Sequence, residues 1–231
     1  MEKGRHRRKV TGQPFDFRQQ LRQGCDSLGI VLDAAAVERL FVYFTELARW
    51  SRKINLIAKG TPDAEILEKH FLDSLTLLPL LDVPDLRLLD VGTGAGFPGL
   101  VCKAARPELT VTLVEPRLKR VSFLRHIIRT LNLSGVEALA CRVEDEILLP
   151  SNLAFTHITS RAVTDIAEFL GLVSRLCGPG TTVICMKGPK WQEELETLRQ
   201  SAPALALHYS STLERQLPFS AAKRALLTFS W

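Results

Sequence analysis

The stretch that most constrains this chain is Leu88-Leu89-Asp90-Val91-Gly92-Thr93-Gly94-Ala95-Gly96-Phe97-Pro98-Gly99. A short apolar run carrying an acid runs into three glycines at alternate positions. That pattern reads as a buried strand emptying into a tight loop and then a helix. Glycine permits positive φ and close backbone approach to a ligand. The helix start beyond it offers free N–H groups and the positive end of a dipole. The loop is therefore read as a cofactor seat.

The remainder of the chain predicts an α/β fold preceded by helices. From about Phe15 to Leu56 apolar residues recur at helical spacing, with Gly29 ending the first of two helices. Thr61-Pro62 looks like an N-cap and first helical residue for a third, running to about Leu81. On it His70, Asp73 and Ser74 fall at i, i+3 and i+4 and share a face. Beyond the glycine loop, strands at 110–114, 136–140, 157–160, 181–186, 205–211 and 225–229 alternate with helices at 119–131, 165–176 and 190–199. With the glycine strand they make seven strands in a mostly parallel, Rossmann-like sheet covered on both faces. The expected organisation is a basic flexible arm over 1–14, a helical cap over 15–83 and the α/β domain over 84–231.

Composition narrows the class. No run of 18 or more apolar residues is present, and the basic N-terminus has no apolar segment behind it, so neither a membrane span nor a secretory signal is expected. The five cysteines include no C-x-x-C pair, which points to reduced thiols in a cytoplasmic protein and to no metal site. A net charge of +5 permits a nucleic-acid partner without requiring one. The arm, with Lys3, Arg5, Arg7, Arg8 and Lys9, reads either as a solvated tail or as a phosphate contact.

The loop's spacing selects the cofactor. A dinucleotide site needs G-x-G-x-x-G, and counting from Gly92 puts Phe97 where its third glycine belongs. The form found, G-x-G-x-G after an acid, resembles the loop of class I methyltransferases that bind S-adenosylmethionine. In that class an acid closing the next strand accepts hydrogen bonds from the ribose hydroxyls, and Glu115 stands there; dehydrogenases place an acid similarly. Residues after the third strand line the adenine in that class, which here are Arg142-Val143-Glu144-Asp145. An exposed charged loop is the alternative reading of those four.

Several segments then occur together in order: Lys53-Ile54-Asn55-Leu56, His70-Phe71-Leu72-Asp73-Ser74-Leu75, Asp90 through Gly99, Lys119-Arg120-Val121-Ser122-Phe123-Leu124, Arg142-Val143-Glu144, Ser160-Arg161-Ala162 and Lys187-Gly188. In this the chain resembles the bacterial small-subunit ribosomal RNA guanine-N7 methyltransferases, also called glucose-inhibited division protein B. The resemblance runs from about Tyr43 to Gly188. It implies methyl transfer from S-adenosylmethionine to N7 of a guanine in 16S ribosomal RNA, alone or in the small ribosomal subunit, by a monomer that needs no metal. Carried over by position, it implies cofactor contacts at Gly92, Gly94, Phe97, Val143, Glu144 and Arg161, which Glu115 joins by the class argument. Asn55, His70, Asp73, Ser74 and Lys187 are the candidates for the substrate side. His70 reads equally as a satisfied helix histidine, and Lys187 as a solvated loop lysine. Two departures stand out: Ile57 replaces the family's usual threonine, and the basic arm is not a family hallmark.

The chemistry follows the same line. Enzymes of this class that alkylate exocyclic amines carry [D/N]-P-P-[Y/F] after strand four, where this chain has Ser160-Arg161-Ala162-Val163. Pyrimidine C5 methylation needs a cysteine nucleophile, and no Pro-Cys motif lies near these loops. Guanine N7 presents a lone pair and no proton, so its attack needs no general base and no catalytic residue is expected. The competing readings are the same fold acting on transfer RNA, protein or a small molecule, a nicotinamide oxidoreductase, and a catalytically silent RNA-binding module.

Overall fold

The computed structural model describes residues 15–161 and 164–231. The basic arm and the Ala162-Val163 pair lie outside the described residues.

Helix α1 (Phe17–Leu28) is capped by the Asp16 side chain and ended by Gly29, whose φ of 69° closes it as expected of glycine at a helix end. Helix α2 (Ala34–Ser51) starts on the Asp33 side chain, which accepts from the Ala36 amide. The third helical segment differs from the expected continuous helix to Leu81. It begins as α3 (Asp63–Ile66) with Pro62, not Thr61, at the cap position, since the Thr61 hydroxyl is spent on the Ala58 carbonyl. It then widens into a π-turn over Leu67–Leu72, closes as α4 (Asp73–Leu75) and yields to a 3₁₀ turn at Leu78–Leu80. Pro79 within that turn has no N–H to extend an α-helix.

The sheet is built from β1 (Arg87–Val91), β2 (Thr110–Val114), β3 (Val136–Leu139), β4 (His157–Arg161), β5 (Thr182–Lys187), β6 (Tyr209–Gln216) and β7 (Lys223–Ser230). Its order is β3-β2-β1-β4-β5-β7-β6, with only β7 and β6 antiparallel to their neighbours. Helices α5 (Gly99–Ala105), α6 (Leu118–Thr130), α7 (Ile166–Val173), α8 (Trp191–Ser201) and α9 (Pro203–Ala206) make the connections. The strand expected at 205–211 begins only at Tyr209. Pro203 sits at the first position of α9, where its fixed φ favours a helical turn, and that turn consumes Leu205.

Strand period sorts the core. Leu88 joins the apolar cluster under the cap helices and α6, while Leu89 and Val91 join the cluster under α7 and α8. Cap residues Phe17, Leu40, Tyr43 and Phe71 belong to the same buried cluster as Leu100, Leu113 and Phe123 of the α/β region. The cap and the sheet thus share one core. Because the chain runs outward from β1 through β2 in one direction and from β4 through β5 in the other, the crevice between β1 and β4 is the topological switch point. Ligands of such sheets gather at the carboxyl ends of the strands there. Val91 pairs with Ser160, so the register sets the glycine loop beside Arg161.

Candidate active site

The glycine loop is held from beneath by Asp90. Its carboxylate is fully buried, and Oδ2 accepts from the Thr93 hydroxyl at 2.6 Å and from the Gly99 amide at 2.7 Å. Burial pushes this carboxyl up to about 6, with the two donors opposing. A Cβ on Gly99 would lie 2.8 Å from the Asp90 carboxylate, so only glycine lets α5 start there. From the cap side, Tyr43 donates its hydroxyl to the Ala95 carbonyl. Gly96 has φ +98°, and a Cβ on it would lie 2.1 Å from the Tyr43 oxygen. Arg39, one turn earlier on α2, donates to the Ala104 carbonyl at 2.6 Å and so closes the end of α5. The cap thus grips both ends of the loop–helix unit.

The second wall comes from the π-turn. His70 lies flat on Phe97 (4.8 Å between centroids, 15° between planes), and Phe97 is parallel to Tyr43 at 6.2 Å. Arg161, at the end of β4, donates from Nη1 to the Lys69 carbonyl at 2.7 Å and to Asp73 Oδ2 at 3.3 Å. Its Nη2 is 3.2 Å from His70 Nδ1. A guanidinium has no acceptor, so His70 Nδ1 accepts and the imidazole is neutral. Burial, reinforced by the Arg161 charge, pulls His70 down to about 4. Arg224 on β7 closes the group, its Nε donating to both Asp73 oxygens at 3.0 and 3.1 Å. The buried Asp73 carboxylate is thereby shared by two guanidiniums.

These groups line a cleft of about 730 Å³ over the glycine loop, which His70, Asp73, Gly92, Gly94, Phe97, Arg161 and Lys187 all border. A second cleft, of about 470 Å³, shares Gly92 and Thr164 with it and carries Val143 and Glu144. Its Val91, Val114 and Leu172 side chains make an apolar slot suited to a planar base. Glu115 is buried at the end of β2, with Oε1 accepting from the Arg117 amide at 2.9 Å and Arg120 Nη1 at 3.5 Å from Oε2.

Three sequence-predicted residues line neither cleft: Ser74, Asn55 and Glu115, whose buried carboxylate is held by the Arg117 amide and Arg120. The Ser74 hydroxyl is buried and turned back on its own helix, donating to the His70 carbonyl at 2.5 Å. Asn55 is exposed and borders a separate groove with Lys53 and Arg117. Lys187 is present but held, at 2.6 Å from the Thr164 carbonyl and 2.7 Å from Glu194. Glu144 is exposed, whereas Val143 is buried and its carbonyl accepts from Arg175 at 2.5 Å. Tyr43, Arg175 and Arg224 were not foreseen. Each acts from an element remote in sequence, and no local spacing announces it.

The donor set fits S-adenosylmethionine. Two clefts that share Gly92 and Thr164 meet at a glycine loop beside a buried carboxylate and an arginine. Together with the strand order, they define a class I methyltransferase. Two solved structures bear out the fold: magnesium protoporphyrin IX methyltransferase from Synechocystis PCC 6803, determined with bound S-adenosylmethionine (TM-score 0.54, 14% identity, 96% of this chain and 100% of that one), and the C-terminal domain of precorrin-6Y C5,15-methyltransferase from Rhodobacter capsulatus (TM-score 0.50, 16% identity, 76% and 94%).

The chain belongs to the GidB family, described as rRNA small subunit methyltransferase G, whose profile matches residues 36–219. Ribosomal RNA small subunit methyltransferase G of Desulfotalea psychrophila is 54% identical over 92% of this chain and 98% of its own length. The protein of the same description from Syntrophus aciditrophicus is 37% identical over 95% and 91%.

Proposed function

We propose that this chain transfers a methyl group from S-adenosylmethionine to N7 of a guanine in 16S ribosomal RNA. Family membership makes it an S-adenosylmethionine-dependent ribosomal RNA methyltransferase. The N7 position and the roles of individual residues are our reading of the site. The observation that carries it is the neutral His70 ring, fixed on Phe97 and by Arg161: among the described residues its lone-pair nitrogen, Nδ1, is engaged by Arg161 and the Asp73 carboxylate by two guanidiniums, so neither is free to act as a base.

Bound S-adenosylmethionine supplies an electrophilic methyl on a sulfonium. The chain's residues position and exclude water. Glu115 accepts from the ribose hydroxyls, and the slot beside Val143 and Glu144 takes the adenine. Gly92 and Gly94 let the backbone approach, and Arg161 pairs with the carboxylate end, where a guanidinium forms bidentate bonds. Guanine N7 attacks through its own lone pair. Catalysis then rests on in-line positioning between the Phe97–His70 wall and the glycine loop, in a site where two guanidiniums share the single Asp73 carboxylate and so leave positive charge for the cofactor's carboxylate. His70 and Asp73 form the substrate wall.

Among the described residues no helix is long and apolar enough to cross a membrane. Family membership supports work on ribosomal RNA, and so a place in the cytoplasm. The test is transfer of labelled methyl groups from S-adenosylmethionine to small ribosomal subunits lacking the modification. Label in the 16S RNA supports the reading, and label confined to protein or absent overturns it.

A further inference from the structure

Beside the cleft runs a second groove, of about 630 Å³, between the cap and the α/β region. Lys53, Ile54 and Asn55 form its cap wall, and the segment from Pro116 to Arg120 forms the other. Four of these residues are cations and none is a carboxylate. Lys53, Arg117 and Lys119 are exposed and, among the described residues, make no ion pair. Arg120 borders both this groove and the cleft, so the two are neighbours.

The sequence places these cations where a free protein would not favour them. Arg117, Lys119 and Arg120 occupy the cap position and first turn of α6, at the positive end of its dipole. No side chain caps that end and no acid lies in its first turn. Elsewhere in the chain α1, α2 and α7 start on aspartate. Leu118, 71% exposed, projects among the three cations. An array that repels itself and the dipole, beside an exposed apolar side chain, suits a ligand bearing both anionic and apolar faces.

We infer that this groove binds the phosphodiester backbone of the RNA strand next to the target guanine, with Leu118 against a neighbouring base. This rests on the proposed activity and adds the path by which substrate enters. Asn55 then serves as a polar contact on that path, outside the cleft. Cations on phosphates position RNA without reading its sequence, and their release of counterions makes binding salt-dependent.

The test compares the wild-type chain with Lys53→Gln/Arg117→Gln/Lys119→Gln, leaving Arg120 in place because it borders the cleft. Methyl transfer to 16S RNA is followed as a function of salt, with cofactor affinity and melting temperature measured alongside. The inference predicts a KM for RNA raised about tenfold and a plot of log affinity against log salt shallower by about two, since each lost single-strand phosphate contact removes about 0.7. It also predicts a melting temperature raised by about 2 °C, from removing cations at the start of α6. Unchanged KM and slope in an assay where the wild type methylates RNA overturn the groove and leave the activity standing. A loss seen with intact subunits but not with naked 16S RNA assigns the groove to a ribosomal protein instead and overturns it. A wild type that methylates no RNA overturns the activity itself, and the groove's role with it.

Discussion

Arg161 Nη2 donates to His70 Nδ1 across 3.2 Å, joining the end of a central strand to a π-turn in the cap. The same guanidinium donates from Nη1 to the Lys69 carbonyl within that turn, so Arg161 is tied to two consecutive residues of it. Such turns interrupt helices frequently at functional sites. A neutral histidine with a fixed tautomer is the consequence.

The tautomer gives a pH prediction. His70 titrates near 6.5 when unfolded and at about 4 in the folded chain. A lowered folded pKa contributes stability that is complete above about 6.5 and declines as pH falls toward 4, by up to ~3 kcal/mol. His70→Gln keeps an acceptor for Arg161 and removes the titration. Between pH 6.5 and 4, urea unfolding of wild type should lose stability faster than that of the variant. Asp90, raised to about 6, contributes in the opposite sense over an overlapping window, and it does so equally in both proteins.

Removing the guanidinium separates positioning from folding. In Arg161→Ala, Asp73 keeps both bonds from Arg224, so no buried carboxylate is stranded. The variant should fold with a melting transition near that of wild type yet lose about 100-fold in methyl transfer, as misplacement of a reacting group by an ångström does. Wild-type activity in that variant would remove Arg161 from the site.

Glu115 tests the ribose assignment. Replacing the carboxylate by an amide in Glu115→Gln weakens two charge-assisted hydrogen bonds, together about 2 kcal/mol, or roughly 30-fold in cofactor affinity. Calorimetric titration with S-adenosylhomocysteine measures it, and equal affinity would place the ribose elsewhere.

The Tyr43–Gly96 contact predicts a stability defect. Gly96→Ala adds a Cβ where the tyrosine oxygen sits and forces a left-handed φ on alanine. Strain of this kind costs about 1–3 kcal/mol before the displaced tyrosine is counted. The urea midpoint should fall with the slope unchanged, and cofactor binding should weaken with it.

Most of the sheet was legible because its other strands are apolar runs separated by turn residues; β6 was placed too early, since Tyr209–Gln216 has no apolar run and Leu205 lies in the α9 turn. The cap's third helix was not legible, since a π-turn leaves the apolar spacing of Leu67, Phe71 and Leu72 close to that of an ordinary helix. Of the residues expected at the site, Gly92 and Phe97 border the cleft over the loop, whereas Glu115, expected there from the strand-end acid of the class, lines neither cleft. Ser74 was misplaced because a shared helix face does not say which way a hydroxyl turns, and this one prefers its own backbone. Arg224 and Tyr43 were invisible for a different reason: each reaches the site across the fold, and only tertiary structure brings a β7 arginine to a cap aspartate.

The measurement that tests the central claim most directly is the position of the transferred methyl. Small ribosomal subunits lacking the modification are incubated with the protein and labelled S-adenosylmethionine, and the 16S RNA is then treated with borohydride and aniline, which cleave at N7-methylguanosine. Our account predicts scission at one guanosine, dependent on both protein and cofactor. Label in the RNA without scission would contradict N7 as the acceptor while leaving the methyltransferase assignment in place.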